Sequence, residues 1–144
     1  MSTVNLATKP AKPVSGLDRE YTLKNTIDFS ANNVASGDVV QALSIPAHTL
    51  VRGVYWRTLT AEGATCAASI GDGADPDGFA AGINLNTDTT EGFSSLALAE
   101  GTPNTVAGYT AGKLYPAADT IDLVMGNAAT AAKIMIKAVC VDFS

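Results

Sequence analysis

The sequence predicts an all-β fold, an antiparallel sandwich or barrel, on three observations. Apolar and polar residues alternate with period two in many short segments. Gly, Asn, Asp and Pro punctuate those segments at close, even spacing. No segment sustains an i, i+3, i+4, i+7 apolar stripe between credible helix caps. At 144 residues the chain fits one domain, and a chain of this size buries roughly 68–70% of its unfolded surface in one core without metal or disulfide help.

Taken in order, residues 1–20 hold Pro10, Pro13 and Gly16 among scattered Thr, Ser and Lys with no sustained period. They are assigned to an extended N-terminal arm, polyproline-like around Lys9-Pro10 and Lys12-Pro13, with residues 21–144 forming the sandwich. "YTLKNTIDF" then places Tyr21, Leu23, Ile27 and Phe29 on one face and Thr22, Lys24, Thr26 and Asp28 on the other, as a half-buried strand requires. The turn residues "SANNVASGD" follow. Further strands are predicted over Val39 to Ile45, Leu50 to Thr60, Thr65 to Ile70, Phe79 to Leu85, Ser94 to Leu98, Tyr109 to Tyr115, Thr120 to Met125 and Ala132 to Phe143. Alanine is depleted in strands, so "AATAAKIM" and "FSSLALAEG" each leave room for a helical turn. "TIDF" at Thr26 and "TIDL" at Thr120 look alike, but nothing between them repeats.

Two strands carry apolar residues on both faces. Leu50, Val54 and Trp56 alternate with Val51, Tyr55 and Leu59, and Ile134, Ile136, Ala138 and Cys140 alternate with Met135, Val139, Val141 and Phe143. A sandwich strand normally meets water on one side, so the second face needs a cover. A subunit interface built on Val51, Tyr55, Leu59, Met135, Val139 and Val141 is the preferred cover; a loop or the arm is the other. Only 16% of residues are charged against 47% hydrophobic, which also argues for a surface partly covered by other subunits.

The net charge of -5 is uneven. Residues 1–20 hold Lys9, Lys12 and Arg19 against Asp18 and Glu20, so the body is more acidic than the whole and is a poor partner for nucleic acid. Apolar runs fall far short of the ~20 residues that span a bilayer, and the N-terminal stretch lacks the apolar centre of a signal peptide. No membrane partner and synthesis in the cytoplasm are therefore expected. Cys66 and Cys140 both lie in strand-like runs and read as reduced core residues, with a disulfide between them as the alternative.

The stretch "GDGADPDGF", Gly71 to Phe79, raises calcium chemistry, because hard cations take closely spaced carboxylates. An EF-hand register fails: counted from Asp72, the third and fifth positions are Ala74 and Pro76, the sixth is Asp77 and the twelfth Ile83. A different site on Asp72, Asp75 and Asp77 stays open, but turn-making is the stronger reading, since Asp bonds nearby N–H groups, Pro fixes φ and Gly accepts positive φ. "GYTAGKL" is one residue short of a phosphate loop and has Leu114 where a magnesium-binding hydroxyl belongs. His48 is the only histidine, no G-x-S-x-G occurs, and neither cysteine has an activating neighbourhood, so no enzyme, cofactor or catalytic set is predicted. Tyr55 and Trp56 are adjacent and fall on opposite faces of a regular strand, so together they make no flat sugar platform.

The body from Tyr21 to Phe143 resembles small β-rich virion proteins of tailed bacteriophages. The likeness is carried by "IDFSANNVASGDVVQALSIPAHTLVRGVYWRTLTAEG", by "GDGADPDGF" and by "GKLYPAADTIDLVMGNAATAAKIMIKAVCVDFS". The resemblance implies a jelly-roll-like β-sandwich acting as a capsid decoration, or cement, protein. Such a protein is often trimeric, sits on the outer capsid of the virion and ties neighbouring major capsid protein subunits together. Lys9, Pro10, Lys12, Pro13 and Arg19 of the arm would then contact an acidic coat surface, where many weak contacts add up. The alternative is a module of a tail or head fibre that binds a host-surface glycan.

Overall fold

The computed structural model describes residues 1–8, 20–87, 90–94, 108–109 and 112–143. Ten strands run through them: β1 (Thr3–Thr8), β2 (Glu20–Asp28), β3 (Val39–Ile45), β4 (Thr49–Thr60), β5 (Ala67–Gly71), β6 (Ala80–Asn84), β7 (Glu91–Phe93), β8 (Lys113–Tyr115), β9 (Asp119–Met125) and β10 (Lys133–Asp142). No helix occurs among the described residues, so none there could cross a membrane as a helix. The alanine-rich "AATAAKIM" forms a turn with an isolated bridge from Ala129 to Val34 and then enters β10. Residues 95–101 of "FSSLALAEG" lie outside the described residues, as do 95–98 of the strand expected there; β7 ends just before them.

One sheet has the order β1-β3-β9-β5-β6 and the other β2-β10-β4-β7, with β8 also pairing β4. β7 takes Tyr55 to Arg57 and β8 takes Thr49 to Val51, so the two short strands share one edge of β4 end to end. The antiparallel pairs nest: β5 joins β6, β4 joins β7 and β8, β3 joins β9, and β2 joins β10. The chain from β2 to β10 is thus one long folded-back ribbon wound so that its halves alternate between the sheets.

The inner faces meet in a single core. Ile134, Ile136, Ala138 and Cys140 of β10 are buried while Met135, Lys137, Val139 and Val141 are only half-buried, which is the pleat reading out the alternation in the sequence. Opposite them stand Leu43, Ile45, Ile70, Ile121 and Leu123, with Phe29 and Phe79 filling the ends. Removing one such side chain, as in Ile134→Ala, typically costs about 2–5 kcal/mol because the cavity collapses only in part. Cys66 and Cys140 are buried free thiols, as the sequence implies. Burial pushes Cys140 up to about 12, and burial followed by the Glu62 charge raises Cys66, so neither thiol ionises readily.

β1 is a departure from the expected arm. Thr3–Thr8 pairs in parallel with β3, and Val4 and Leu6 pack on the core. Long-range polar contacts hold it there: Asp38 accepts bonds from the Ser2 N–H (3.0 Å) and hydroxyl (2.8 Å) as well as the Ala35 N–H (2.9 Å). The Ala35 bond first, then those from Ser2, keep the Asp38 carboxyl below its ordinary range. Asn25 of β2 donates to the carbonyls of Leu6 and Ala42, both at 2.9 Å, and so laces one sheet to the other at this edge. A second tie closes the far side, where the Glu62 carboxylate accepts the N–H groups of Thr130 (2.8 Å), Ala131 (3.0 Å) and Ala132 (2.7 Å).

Candidate functional site

The "GDGADPDGF" loop joins β5 to β6, and two of its three glycines are needed for close approach. A Cβ on Gly71 would lie 2.0 Å from the Asp75 carbonyl oxygen, and one on Gly78 would lie 2.4 Å from the Tyr109 ring. Asp72 makes the turn: its Oδ1 accepts the N–H groups of Ala74 (3.0 Å) and Asp75 (2.9 Å). The rest of its carboxylate is also committed. Tyr109 donates its hydroxyl to Oδ1 (3.1 Å), Tyr115 donates to Oδ2 (2.8 Å), and the Lys113 ammonium lies 2.5 Å from Oδ2. Lys113 also reaches the Tyr109 hydroxyl at 2.8 Å.

Asp72 is therefore a fully buried anion balanced by Lys113, and not one corner of a shared carboxylate cage. Burial opposes its charge, but Lys113 and the N–H and O–H donors outweigh that and hold its carboxyl below the ordinary range. Burial works against the Lys113 charge too, and Asp72 overcomes it and raises the ammonium. Asp75 is raised chiefly by its hydrogen bond with Asp77. Among the described residues no group of three His, Cys, Asp or Glu side chains is arranged to hold a metal ion. Lys113, Tyr109 and Tyr115 were not singled out in the sequence. The signal available was the spacing of Lys113 and Tyr115, two apart on one strand and hence on one face, which puts a cation on the inside and calls for a buried acid.

Beside this cluster lies a second buried carboxylate. Asp122 of β9 stands opposite Gly71 in the pairing and accepts the Thr120 hydroxyl at 2.7 Å. Burial, with smaller contributions from Asp119 and Asp72 and against the Thr120 bond, pushes it up to about 6.

The outer face of the β2-β10-β4-β7 sheet is where the sequence places a subunit interface. Five of the six residues named for it turn outward. Met135, Val139 and Val141 are half-buried, and Tyr55 and Leu59 are each 42% exposed. Val51 is the correction: it is fully buried in the core. The reason is a bulge, since the pairing steps from Val139–Gly53 to Cys140–Val51 and leaves Arg52 as the extra residue. The strand changes phase there, so Val51 and Val54 both point inward and Leu50 joins Val141 outside. A second slip beside Lys133 leaves Leu59 without a partner on β10.

Register then lays out the outer face in rows. Lys24, Lys137, Tyr55 and Phe93 run across β2, β10, β4 and β7, with the two rings stacked at 4.0 Å. Thr22, Val139 and Gly53 form the next row, and the Phe93 ring covers Gly53, where a Cβ would come within 2.5 Å of it. Glu20, Val141, Leu50 and Leu114 form another, Leu114 being 52% exposed. The exposed pairs Arg52–Glu20 and Arg57–Glu91 border this apolar strip. Lys24 and Lys137 face each other directly, a like-charge pair that costs stability in an isolated sheet. Trp56 lies on the inner side, across from Gly92, so it shares no platform with Tyr55. Lys9, Pro10, Lys12, Pro13 and Arg19 lie outside the described residues.

No family model matches the sequence, and no curated protein matches it. Solved structures do share the fold. A chain of the cyanophage Pam1 capsid asymmetric unit is 12% identical, with a TM-score of 0.61 over 94% of each chain. A chain of the acidic stable capsid structure of Helicobacter pylori bacteriophage KHP30 is 14% identical, with a TM-score of 0.59 over 89% of this chain and 92% of that one. A chain of the capsid of Ralstonia phage GP4 is 11% identical, with a TM-score of 0.58 over 99% of both. At these identities the likeness is one of fold.

Proposed function

We propose that the chain is a structural protein of a bacteriophage virion and, within it, a capsid decoration protein that binds the outer surface and ties major capsid subunits together. The observation that carries this reading is the near end-to-end match to chains of three phage capsid structures, at least 89% of this chain in each case. The nested strand pairing supports naming the sandwich a jelly roll. The residues that could do chemistry point the same way: Asp72, Lys113, Tyr109 and Tyr115 satisfy one another in the interior.

The outer face of the β2-β10-β4-β7 sheet is the surface for neighbouring copies, in a homotrimer, or for the coat. Its apolar strip of Leu50, Tyr55, Phe93, Leu114, Val139 and Val141 gains from being covered, and Lys24 and Lys137 suit an acidic partner. Lys9, Pro10, Lys12, Pro13 and Arg19 supply further coat contacts from the segment joining β1 to β2. β1 itself is part of a sheet, paired with β3. The test is to add purified protein to undecorated capsids and, separately, to host cells. Saturable capsid binding with raised thermal resistance of the particle supports the proposal; cell binding without capsid binding overturns it in favour of the glycan-binding module.

A further inference from the structure

The Asp72 carboxyl has the surroundings that an acyl group needs for attack. Its Oδ1 is held by three donors, the N–H groups of Ala74 and Asp75 and the Tyr109 hydroxyl, at 2.9–3.1 Å. That is the spacing at which donors stabilise an oxygen gaining negative charge. Its Oδ2 carries the Tyr115 hydroxyl at 2.8 Å and the Lys113 amine at 2.5 Å. Nζ is thus held against the carboxylate by its hydrogen bond to Oδ2, and attack requires it to swing from that oxygen to the face of Cγ. The Asp72 side chain is wholly shielded from water, whereas Lys113 keeps 23% exposure and leaves a released water a way out.

We propose that Lys113 and Asp72 condense into an intramolecular amide, a covalent bridge from β8 to the β5–β6 loop. The Lys113 ammonium first passes a proton to Oδ2, giving a neutral amine and a neutral acid. The Nζ lone pair adds to Cγ, and the C=O electron pair moves onto Oδ1 under its three donors. That pair then re-forms the carbonyl as the Cγ–Oδ2 bond breaks. Oδ2 leaves as water with the proton already transferred and a second one taken directly from Nζ, its hydrogen-bond neighbour. An ammonium and a carboxylate become one neutral amide and one water, with no oxidant, reductant or co-reactant.

One magnitude favours the amide. Fixed geometry is worth effective concentrations of about 10⁵–10⁸ M, against the dilution that makes such a condensation unfavourable in free solution. The donors around the pair outweigh its desolvation and favour the ionised form, so this proximity is what must drive the reaction. Burial keeps Tyr115 protonated, with Asp72 adding to the effect, so its hydroxyl stays a donor to the leaving oxygen. The ionised pair is the starting form, so the reaction is slow and runs once per molecule.

Intact mass spectrometry of the purified full chain, followed by peptide mapping, decides the matter without any capsid. The expected result is a mass one water below that of the sequence and a branched peptide joining Asp72 to Lys113. Asp72→Asn should lose one ammonia instead, and Lys113→Arg should keep its full mass. A wild-type mass equal to the sequence after prolonged incubation overturns the proposal. So does water loss confined to a linear peptide at Asp72-Gly73 or Asp77-Gly78, which would be cyclisation onto the backbone.

Discussion

Asp122 makes the fold pay attention to pH, and Asp122→Asn isolates how. The carboxyl sits in the interior of β9 at 6% exposure and is pushed from 3.8 to about 6, mainly by burial. For an acid raised on folding, the native state binds the proton more tightly than the unfolded chain does. The contribution is therefore most favourable below the unfolded value and is lost as pH climbs through the folded one. Two pKa units at 1.36 kcal/mol each amount to about 3 kcal/mol lost between pH 4 and pH 7. Asn keeps the oxygen that accepts the Thr120 hydroxyl but brings an N–H₂ group needing a partner, a fixed cost of about 1–3 kcal/mol. At pH 4 the variant should accordingly be no more stable than wild type, and it should gain on wild type by about 3 kcal/mol as pH rises to 7. Urea titrations of both proteins at half-unit pH steps measure that difference directly. Parallel stability curves would refute the reasoning, because a cost of ionisation cannot be independent of pH.

Other consequences can be checked as simply. Glu62→Ala removes the acceptor for Thr130, Ala131 and Ala132 and should cost about 1–3 kcal/mol at neutral pH. Burial opposes the Glu62 charge but its backbone bonds outweigh that and lower it, so the loss should fade in acid as the wild-type carboxyl itself protonates, with faster amide exchange at those three residues as the local readout. Gly92→Ala puts a Cβ 2.3 Å from the ring of Trp56, the single tryptophan, so emission should shift to the red with a loss of about 1–3 kcal/mol. Deleting residues 1–8 strips β1 from β3 and should lower the melting temperature, whereas Lys9→Ala, Lys12→Ala and Arg19→Ala together should leave it unchanged and weaken capsid attachment. Leu114→Lys with Tyr55→Glu should abolish self-association in sedimentation while leaving the monomer folded.

Strand positions were legible because period two survives wherever one face is buried: Val39–Ile45 is β3 to the residue, and β4, β9 and β10 lie within one residue of expectation. Faces were less legible than strands. Apolar residues on both sides of β4 gave no hint of the phase change, which a one-residue bulge at Arg52 imposes from the partner strand. β1 escaped because what fixes it is remote, namely Asp38 at its start and Asn25 across the gap. Asp72 was rightly read as a turn-maker, yet its cation lies 41 positions away, beyond any local pattern. "GYTAGKL" looked like a failed phosphate loop, while its lysine serves an acid inside the same chain.

The nested pairing also orders events in time. β10, the last of the ten strands in chain order, is the one lodged between β2 and β4, so that sheet has no centre until β10 has been made. Until then β2 and β4 present bare edges to solvent, and the β5–β6 hairpin is the part of the ribbon able to close early. Pairings this distant in sequence make folding slow, on the order of milliseconds to seconds. A nascent chain stalled before β10 is thus a sticky half-sandwich, and chaperone demand should peak in that interval.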